Sequence, residues 1–342
     1  MSSESKPWKI LFCGEEFAGG FKLTKEACES KMPNVEVVRC RRQDLAAPIG
    51  SADVALPMMS KLDAGLLAKA KQLKLILQFG VGVEGIDIPA ATERGIWVSN
   101  IPSQATGNAL ACAEMAIYLS LACLRQQHEM AASLQNQRLG VPLGETLFGK
   151  TVLVVGFGNI AKELVPRLKP FGVKLLAVRR SPWQGEHEAE ALLDERGSWE
   201  DLPSFAARSQ LMILTCSQNE QTRGMINSSL LAACRRGVYI VNVARGGLLD
   251  YDAVRQALDS GHLGGLGLDV QWSEPWDPHD PISSDARVIL TPHVAGVTSY
   301  SYSNMAHVVA HEVARVMEGQ PPTIQLNQVN QQLAAAVLRG GH

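Results

Sequence analysis

The sequence predicts an α/β protein of two domains, each built on a parallel β-sheet that is covered by helices. The first observation is that 342 residues suit two domains, while 46% hydrophobic against 19% charged residues suffice for buried cores. The second is that short apolar runs alternate with amphipathic stretches along the chain. The third is a glycine turn that directly follows one of the apolar runs, at Gly156.

The apolar runs in the first third of the chain predict strands, and the stretches between them predict helices. These strands are expected at residues 10–14, 35–40, 54–57, 73–80 and 97–100. A stretch over about residues 104–130 is dense in Ala, Leu and Met and predicts one long helix. Because this helix is apolar nearly all round, we expect it to be buried between layers or between subunits.

The glycine turn follows the apolar run Thr-Val-Leu-Val-Val, and helical spacing begins directly after it. Gly156 lets the chain turn sharply, and Gly158 has no side chain that would keep a pyrophosphate away. The N–H groups of Asn159 and Ile160, at the start of the helix, then point at the anion. This strand, turn and helix predict a dinucleotide-binding site.

The remaining apolar runs complete a second sheet. Together with the glycine strand, the runs at 174–180, 211–216, 238–243, 264–270 and 288–293 give six strands, the count of a complete dinucleotide-binding sheet. Since that sheet is full, the last helix, about 300–319, is expected to return to the first domain. We therefore predict a discontinuous substrate-binding domain of residues 1–101 and 297–342, and a dinucleotide-binding domain of residues 102–296.

Polar residues follow three successive strands of the second sheet, and active sites of parallel sheets lie beyond these strand ends. Arg245 is suited to clamp a carboxylate and His293 to donate a proton. Glu274 is suited to tune the pKa of that histidine. Each also has a purely structural interpretation, as a surface arginine, a loop acid or a loop histidine, and their conjunction favours chemistry. Asp269 is expected near the nicotinamide or near His293, or simply ends a strand.

The motifs at these strand ends, Ala244-Arg245-Gly246, Asp269…Glu274-Pro275 and Thr291-Pro-His293, resemble those of the D-isomer-specific 2-hydroxyacid dehydrogenases. The resemblance, from about residue 54 to 319, implies a flavodoxin-like catalytic domain with an inserted NAD(P)-binding Rossmann domain, and a homodimer. It implies that Arg245 clamps a 2-oxo acid, that His293 exchanges the proton and that Glu274 keeps His293 protonated. It also implies that the Val81 and Gly82 amides, which follow a glycine turn of the first domain, receive the substrate carboxylate.

The cofactor is expected to be NADP(H) by preference, with NAD(H) also possible. Where most members of the family carry an acid after the second nucleotide-binding strand, this chain has Arg179-Arg180-Ser181, and arginine pairs with a 2′-phosphate that an aspartate would repel. The motif Cys216-Ser217-Gln218-Asn219 replaces the family's usual Pro-Leu-Thr. The expected cofactor contacts are Gly156, Gly158, Asn159, Ile160, Arg179, Arg180, Ser181, Cys216, Ser217, Thr222, Val243, Ala244, Asp269 and Gly296.

Composition argues against other partners. A net charge of −2 with interspersed signs provides no stripe for nucleic acid or an anionic membrane. Seven cysteines without a CxxC pair indicate buried thiols in a reducing compartment, hence a cytoplasmic protein, or an organellar one if a transit peptide has been removed. His307 and His311 share a helical face but have no evident third ligand, so no metal site is expected.

The sequence thus predicts NADPH-dependent reduction of small 2-oxo acids, such as glyoxylate or hydroxypyruvate, to D-2-hydroxy acids, with His293 as acid and base. The alternative is a nucleotide-sensing regulatory protein, because the C-terminal-binding-protein corepressors resemble the same family. The absence of a long disordered tail argues against that alternative.

Overall fold

The computed structural model describes residues 6–15, 17–104, 106–185 and 187–329. Its strands are β1 (Trp8–Cys13), β2 (Val35–Cys40), β3 (Val54–Leu56), β4 (Leu75–Gln78), β5 (Trp97–Asn100), β6 (Thr151–Val155), β7 (Lys174–Val178), β8 (Glu195–Gly197), β9 (Leu211–Leu214), β10 (Val238–Asn242), β11 (Leu263–Leu268) and β12 (Val288–Leu290). Its α-helices are α1 (Ala18–Glu29), α2 (Ala64–Leu67), α3 (Ile88–Glu93), α4 (Asn108–Leu124), α5 (Gln127–Gln135), α6 (Asn159–Leu168), α7 (Glu188–Ala191), α8 (Leu202–Ala206), α9 (Ser228–Ala233), α10 (Tyr251–Asp259) and α11 (Ser299–Met317).

The chain divides into two compact units. The described residues through Gly107, together with those from Ser299 onward, form the first unit, and Asn108–Thr298 form the second. The boundaries predicted from the sequence lay after residues 101 and 296. The functional assignment of these segments stays a prediction.

The first unit contains a parallel five-stranded sheet in the order β2-β1-β3-β4-β5, the flavodoxin-like order. Alternate residues of a strand face opposite sides of a sheet. Ile10 and Phe12 of β1 therefore pack in a core that includes Val309 of α11, while Leu11 and Cys13 pack in a second core on the other face. Helix α11 lies against α1, so a helix from late in the chain covers the sheet formed by the first strands.

The second unit contains a parallel seven-stranded sheet in the order β12-β11-β10-β9-β6-β7-β8. The prediction of six strands was therefore wrong by one. The additional strand, β8, has three residues, of which only Gly197 is buried. Such a short, largely polar edge strand has no apolar run that would indicate it. The predicted fold class, an α/β protein with two Rossmann-like domains, is confirmed.

The prediction of one helix over residues 104–130 was also wrong. Helix α4 ends at Leu124, and α5 begins at Gln127 after a bend of 55°. Gln126 lies between them in the left-handed conformation (φ 53°), which ends the hydrogen-bond pattern of a right-handed helix. Among the described residues no single helix has the length and apolar character of a membrane span, although the bent pair α4 and α5 meets that test jointly.

Candidate active site

His293 and Glu274 form the central contact of the site, in the loops that follow β12 and β11. The His293 Nδ1 atom lies 2.8 Å from Glu274 Oε2, and the other carboxylate oxygen of Glu274 accepts a hydrogen bond from the Gln271 N–H at 3.0 Å. With both oxygens engaged and its side chain 17% exposed, the carboxylate is held in place. Because Nδ1 faces the carboxylate, Nε2 is the ring nitrogen that can exchange a proton with a substrate.

Glu274 is a carboxylate at neutral pH. Burial alone would raise its pKa, but the hydrogen bond and the charge of His293 outweigh burial and lower the pKa below the ordinary value. The charge of Arg245 contributes in the same direction.

Asp269 holds the loop that carries His293. Its side chain is 1% exposed; Oδ1 accepts from the Thr291 hydroxyl (2.6 Å) and the Val294 N–H (2.9 Å), and Oδ2 accepts from the Ala295 N–H (2.9 Å). The Asp269 carbonyl accepts from the His293 N–H at 2.8 Å. Burial raises the pKa of Asp269, and this effect outweighs the hydrogen bonds, which act to lower the pKa. The sequence left open whether Asp269 lies near the nicotinamide, lies near His293 or only ends a strand. In the structure it lies beside His293, and a contact with the nicotinamide stays a prediction.

Arg245 lies in the loop after β10, and a fully buried asparagine shapes that loop. Asn242 Oδ1 accepts from the Ala244 N–H at 3.0 Å, and Asn242 Nδ2 donates to the Arg245 carbonyl at 2.8 Å. The half-buried Arg245 guanidinium donates to the Ala244 carbonyl at 2.7 Å. Sequence reasoning missed the role of Asn242, although a single amide at the end of an apolar strand is a signal that could have found it.

Gly246 brings the arginine loop against the glutamate loop. A Cβ atom at Gly246 would lie 1.9 Å from the Gln271 carbonyl oxygen, so only glycine permits this approach of the two backbones. Gln271 is the residue whose N–H holds Glu274. Arg245, Glu274 and His293 are therefore carried by three adjoining loops at one edge of one sheet.

The glycine turn after β6 depends on Gly156. This residue has φ 93°, and a Cβ there would lie 2.6 Å from the Cβ of Cys216, which is itself buried. The Gly156 N–H donates to the Val178 carbonyl at 2.9 Å. Cys216, predicted as a cofactor contact, is thus a close neighbour of the turn.

Gly158 leaves space at the start of α6. It is exposed, and a Cβ added there would meet nothing within 4 Å. No side chain caps this helix, whereas Asn227 and Asp250 cap α9 and α10 through hydrogen bonds to backbone N–H groups. The half-buried Asn159 and Ile160 are the first residues of α6. Open space beside an N-terminus without a side-chain cap fits the pyrophosphate of a dinucleotide.

Arg179 lies at the end of β7 beside a buried carboxylate. Its guanidinium is 3.8 Å from Glu190, which is 4% exposed, and 5.3 Å from the ring centre of Trp183. A second guanidinium, that of Arg196 in β8, is 3.6 Å from Glu190. Arg180 and Ser181 follow, and both are exposed. The expected arginine pair is therefore present at the strand end, with one member partly balanced by Glu190.

The other predicted cofactor contacts lie in loops of the second unit. The Thr222 hydroxyl donates to the Ser217 carbonyl at 2.9 Å and accepts from the Asn219 N–H at 2.8 Å, so it stabilises its own loop. Val243 and Ala244 are buried after β10. Gly296 is half-buried, and a Cβ there would lie 2.1 Å from Nδ2 of Asn108 at the start of α4.

Val81 and Gly82 lie in the first unit, in the loop after β4. The Val81 carbonyl accepts a hydrogen bond from the Asn100 side chain at 2.8 Å, and the Val81 side chain is 51% exposed. Gly82 is half-buried. Their part in binding a substrate carboxylate stays a prediction.

The second unit matches a family model over residues 117–295, and that model describes the NAD-binding domain of D-isomer-specific 2-hydroxyacid dehydrogenases. The chain belongs to this family. A nicotinamide dinucleotide is therefore the cofactor class of this 2-hydroxyacid dehydrogenase homologue, in agreement with the space at Gly158.

The proteins similar to this chain include enzymes with different names. A D-3-phosphoglycerate dehydrogenase of Mycobacterium leprae is 36% identical over 82% of the chain, but the chain spans only 52% of that protein's length. A glyoxylate reductase of Thermococcus kodakarensis is 30% identical over 84% of the chain and 87% of its own length. The crystal structure of a glyoxylate reductase from Paecilomyes thermophila superposes with a TM-score of 0.77 at 26% identity, over 94% of this chain and 99% of the other.

The two glycines of the turn should respond differently to alanine. Gly158→Ala places a methyl group in open space, so we expect a free energy of unfolding within about 0.5 kcal/mol of wild type but at least about tenfold weaker dinucleotide binding. Gly156→Ala meets both a positive φ and Cys216, and should destabilise the protein by more than about 1 kcal/mol. Denaturant unfolding and cofactor titration measure the two effects. Unchanged binding by Gly158→Ala would show that the cofactor does not occupy this space.

Proposed function

We propose that this protein reduces small 2-oxo acids to D-2-hydroxy acids with NADPH, glyoxylate and hydroxypyruvate being the leading substrates. The observation that carries the proposal is the 2.8 Å contact of His293 with Glu274, in loops adjoining that of Arg245. The names of the glyoxylate reductases among the similar proteins support this substrate class. Phosphoglycerate dehydrogenases are also similar, so a phosphorylated 2-oxo acid belongs in any substrate screen.

Each residue of the site has one task in this proposal. The Arg245 guanidinium forms two parallel hydrogen bonds with the substrate carboxylate and fixes the orientation of the carbonyl group. His293 donates the proton on Nε2 to the carbonyl oxygen as negative charge develops there, and Glu274 stabilises the imidazolium until that moment. The nicotinamide, when bound, supplies the hydride that the carbonyl carbon accepts.

The preference for NADPH rests on the arginines after β7. Arg180 is exposed, and Arg179 lies 3.8 Å from its carboxylate neighbour, beyond the length of a good hydrogen bond. A 2′-phosphate offers both guanidinium groups a stronger, charge-assisted partner. An NAD-specific site would instead place a carboxylate there for the ribose hydroxyls.

Cofactor preference is measured by titrating NADPH and NADH separately. A charge-assisted contact is worth about 1.5–3 kcal/mol, so wild type should bind NADPH at least about tenfold more tightly than NADH. Arg180→Ala should weaken NADPH binding by about tenfold and leave NADH binding unchanged, because only NADPH carries the phosphate. This variant is preferable to one at Arg179, whose removal would leave Glu190 with less compensation. Arg235→Ala, at an exposed arginine elsewhere in the second unit, is the control.

Equal dissociation constants of the wild type for both cofactors would contradict the preference. The activity itself is tested by following cofactor oxidation with a panel of 2-oxo acids. If neither cofactor is oxidised with any acid while both bind, the protein is a nucleotide-binding regulator and not a reductase.

The pH dependence of reduction tests the role of Glu274. Reduction needs protonated His293, so its rate should be high at and below neutral pH and fall as the pH rises, whereas oxidation of the 2-hydroxy acid should improve in the alkaline direction. The lowered pKa of Glu274 keeps its charge constant over this range. Glu274→Gln removes the charge that favours the imidazolium, so the fall in reduction should move to lower pH.

Substitutions of His293 and Arg245 distinguish residues that donate the proton or bind the substrate from Glu274, which acts through His293. His293→Ala should reduce the rate by about a hundredfold or more, and Arg245→Lys should weaken substrate affinity because lysine cannot form the paired hydrogen bonds. Glu274→Gln should keep measurable activity at low pH. Superimposable pH profiles for wild type and Glu274→Gln would show that Glu274 has no part in the proton transfer and is only a structural residue of its loop.

We also propose a homodimer. The segment after α5 exposes large apolar side chains, with Leu139 100% and Leu143 92% exposed, and monomers rarely leave such a patch uncovered. Light scattering should give the mass of two chains for the wild type and of one chain for the Leu139→Asp, Leu143→Asp double variant. Met59→Asp, at an exposed apolar residue of the first unit, should stay dimeric. A wild-type mass of one chain at micromolar concentration would refute the dimer.

A further inference from the structure

Cys13 and Cys40 are the last residues of two neighbouring parallel strands. The register of β1 and β2 pairs Cys13 directly with Cys40. Paired residues of adjacent strands point to the same face, and both cysteines pack in the core that includes Leu11 and Val38. Adjacent strands are separated by about 4.7–4.9 Å, which lies within the span of about 4.4–6.8 Å between the Cα atoms of a disulfide.

The two paired thiols differ in access, and the Cys13 thiol donates to the Leu11 carbonyl at 3.4 Å. Cys13 is completely buried, whereas Cys40 is half-buried because β2 is an edge strand of its sheet. The other cysteines, like Cys13, are all buried. The sequence prediction of seven buried thiols was therefore wrong at Cys40, and a soluble oxidant reaches this sulfur first.

The interaction between the two neighbouring side chains gives the thiols different chemical roles. It lowers the pKa of Cys40, against the opposing effects of burial and of the carboxylates of Asp44 and Glu15. The same interaction with Cys40, together with burial, raises the pKa of Cys13 well above its ordinary value. A thiolate is the nucleophile in thiol oxidation, so Cys40 is the attacking sulfur and Cys13 the resolving one.

We propose that Cys13 and Cys40 form a reversible dithiol–disulfide site that reacts with hydroperoxides and with low-molecular-weight disulfides. With a hydroperoxide, the Cys40 thiolate attacks the terminal oxygen, an alcohol or water leaves, and Cys40 becomes a sulfenic acid. The Cys13 sulfur then attacks the Cys40 sulfur, and the hydroxyl group leaves as water. With a disulfide, the Cys40 thiolate expels one thiol, and Cys13 expels the second.

The surroundings already connect these strand ends. The Arg41 side chain, next to Cys40, lies 3.3 Å from the carboxylate of Glu15, which follows β1. The Ser60 hydroxyl donates to the Cys13 carbonyl at 3.0 Å, so the loop after β3 also contacts this site. The bond would therefore form between strand ends that are held side by side, with no rearrangement of the sheet order.

The full-length, reduced protein is treated with increasing hydrogen peroxide or oxidised glutathione, blocked with N-ethylmaleimide, and examined by intact-mass and peptide mass spectrometry. The first product should have lost two hydrogen atoms, and the linked peptides should contain Cys13 and Cys40. Dithiothreitol should restore the reduced mass. A first disulfide between any other cysteines, or Cys40 accumulating singly modified in the wild type, would overturn the proposal.

Single variants test the two roles. Cys40→Ser should abolish the reaction at oxidant concentrations that convert the wild type, whereas Cys13→Ser should stop at a Cys40 sulfenic acid or a glutathione adduct. Because Cys13 is buried, Cys13→Ala provides a second variant should serine impair folding. Cys28→Ser, at another buried cysteine of the first unit, should oxidise like wild type. Oxidation of Cys40→Ser at the wild-type rate would also overturn the proposal.

Discussion

Asp269 places a buried negative charge at the edge of the second sheet, and the groups that surround it belong to the loop of His293. A carboxylate without partners would be costly there, but Asp269 accepts three hydrogen bonds from Thr291, Val294 and Ala295. Hydrogen bonds to a charged group contribute about 1.5–3 kcal/mol each. The left-handed conformation of His293 (φ 55°) costs about 1–3 kcal/mol. The carboxylate can therefore offset the strain that orients the imidazole.

The loops at this edge of the sheet also lie so close together that a side chain would not fit at three of their glycines. Gly246 lies against the Gln271 carbonyl, Gly247 against the Gln218 side chain, and Gly156 against Cys216. Each contact joins loops from different strands. The position of Arg245 is therefore tied to that of Glu274 through the backbone, and a shift in one loop must move the other.

The sequence could predict those parts of the fold and site that follow from parallel-sheet geometry. Long apolar strands were evident, and because their carboxyl ends meet at one edge, the polar residues after them were expected to converge. What depends on contacts between distant residues was not accessible in the same way. The three-residue strand β8 has no apolar pattern, and the break at Gln126 follows from a single backbone angle. The hydrogen bonds of Asp269 join residues more than twenty positions apart, which no local motif reveals.

The charges at the end of β7 show how such distant contacts bear on cofactor choice. Arg179, Arg180 and Arg196 bring three guanidinium groups, while Glu190 brings one carboxylate, so these four residues together carry two positive charges. A phosphate monoester carries about −1.5 to −2 charges at neutral pH, close to the charge needed to balance this excess. Without Glu190, the half-buried Arg179 and the exposed Arg196 would lose this compensating charge. Glu190 thus partly balances the arginine cluster, and the positive charge that remains is the feature on which the proposed preference for a 2′-phosphate rests.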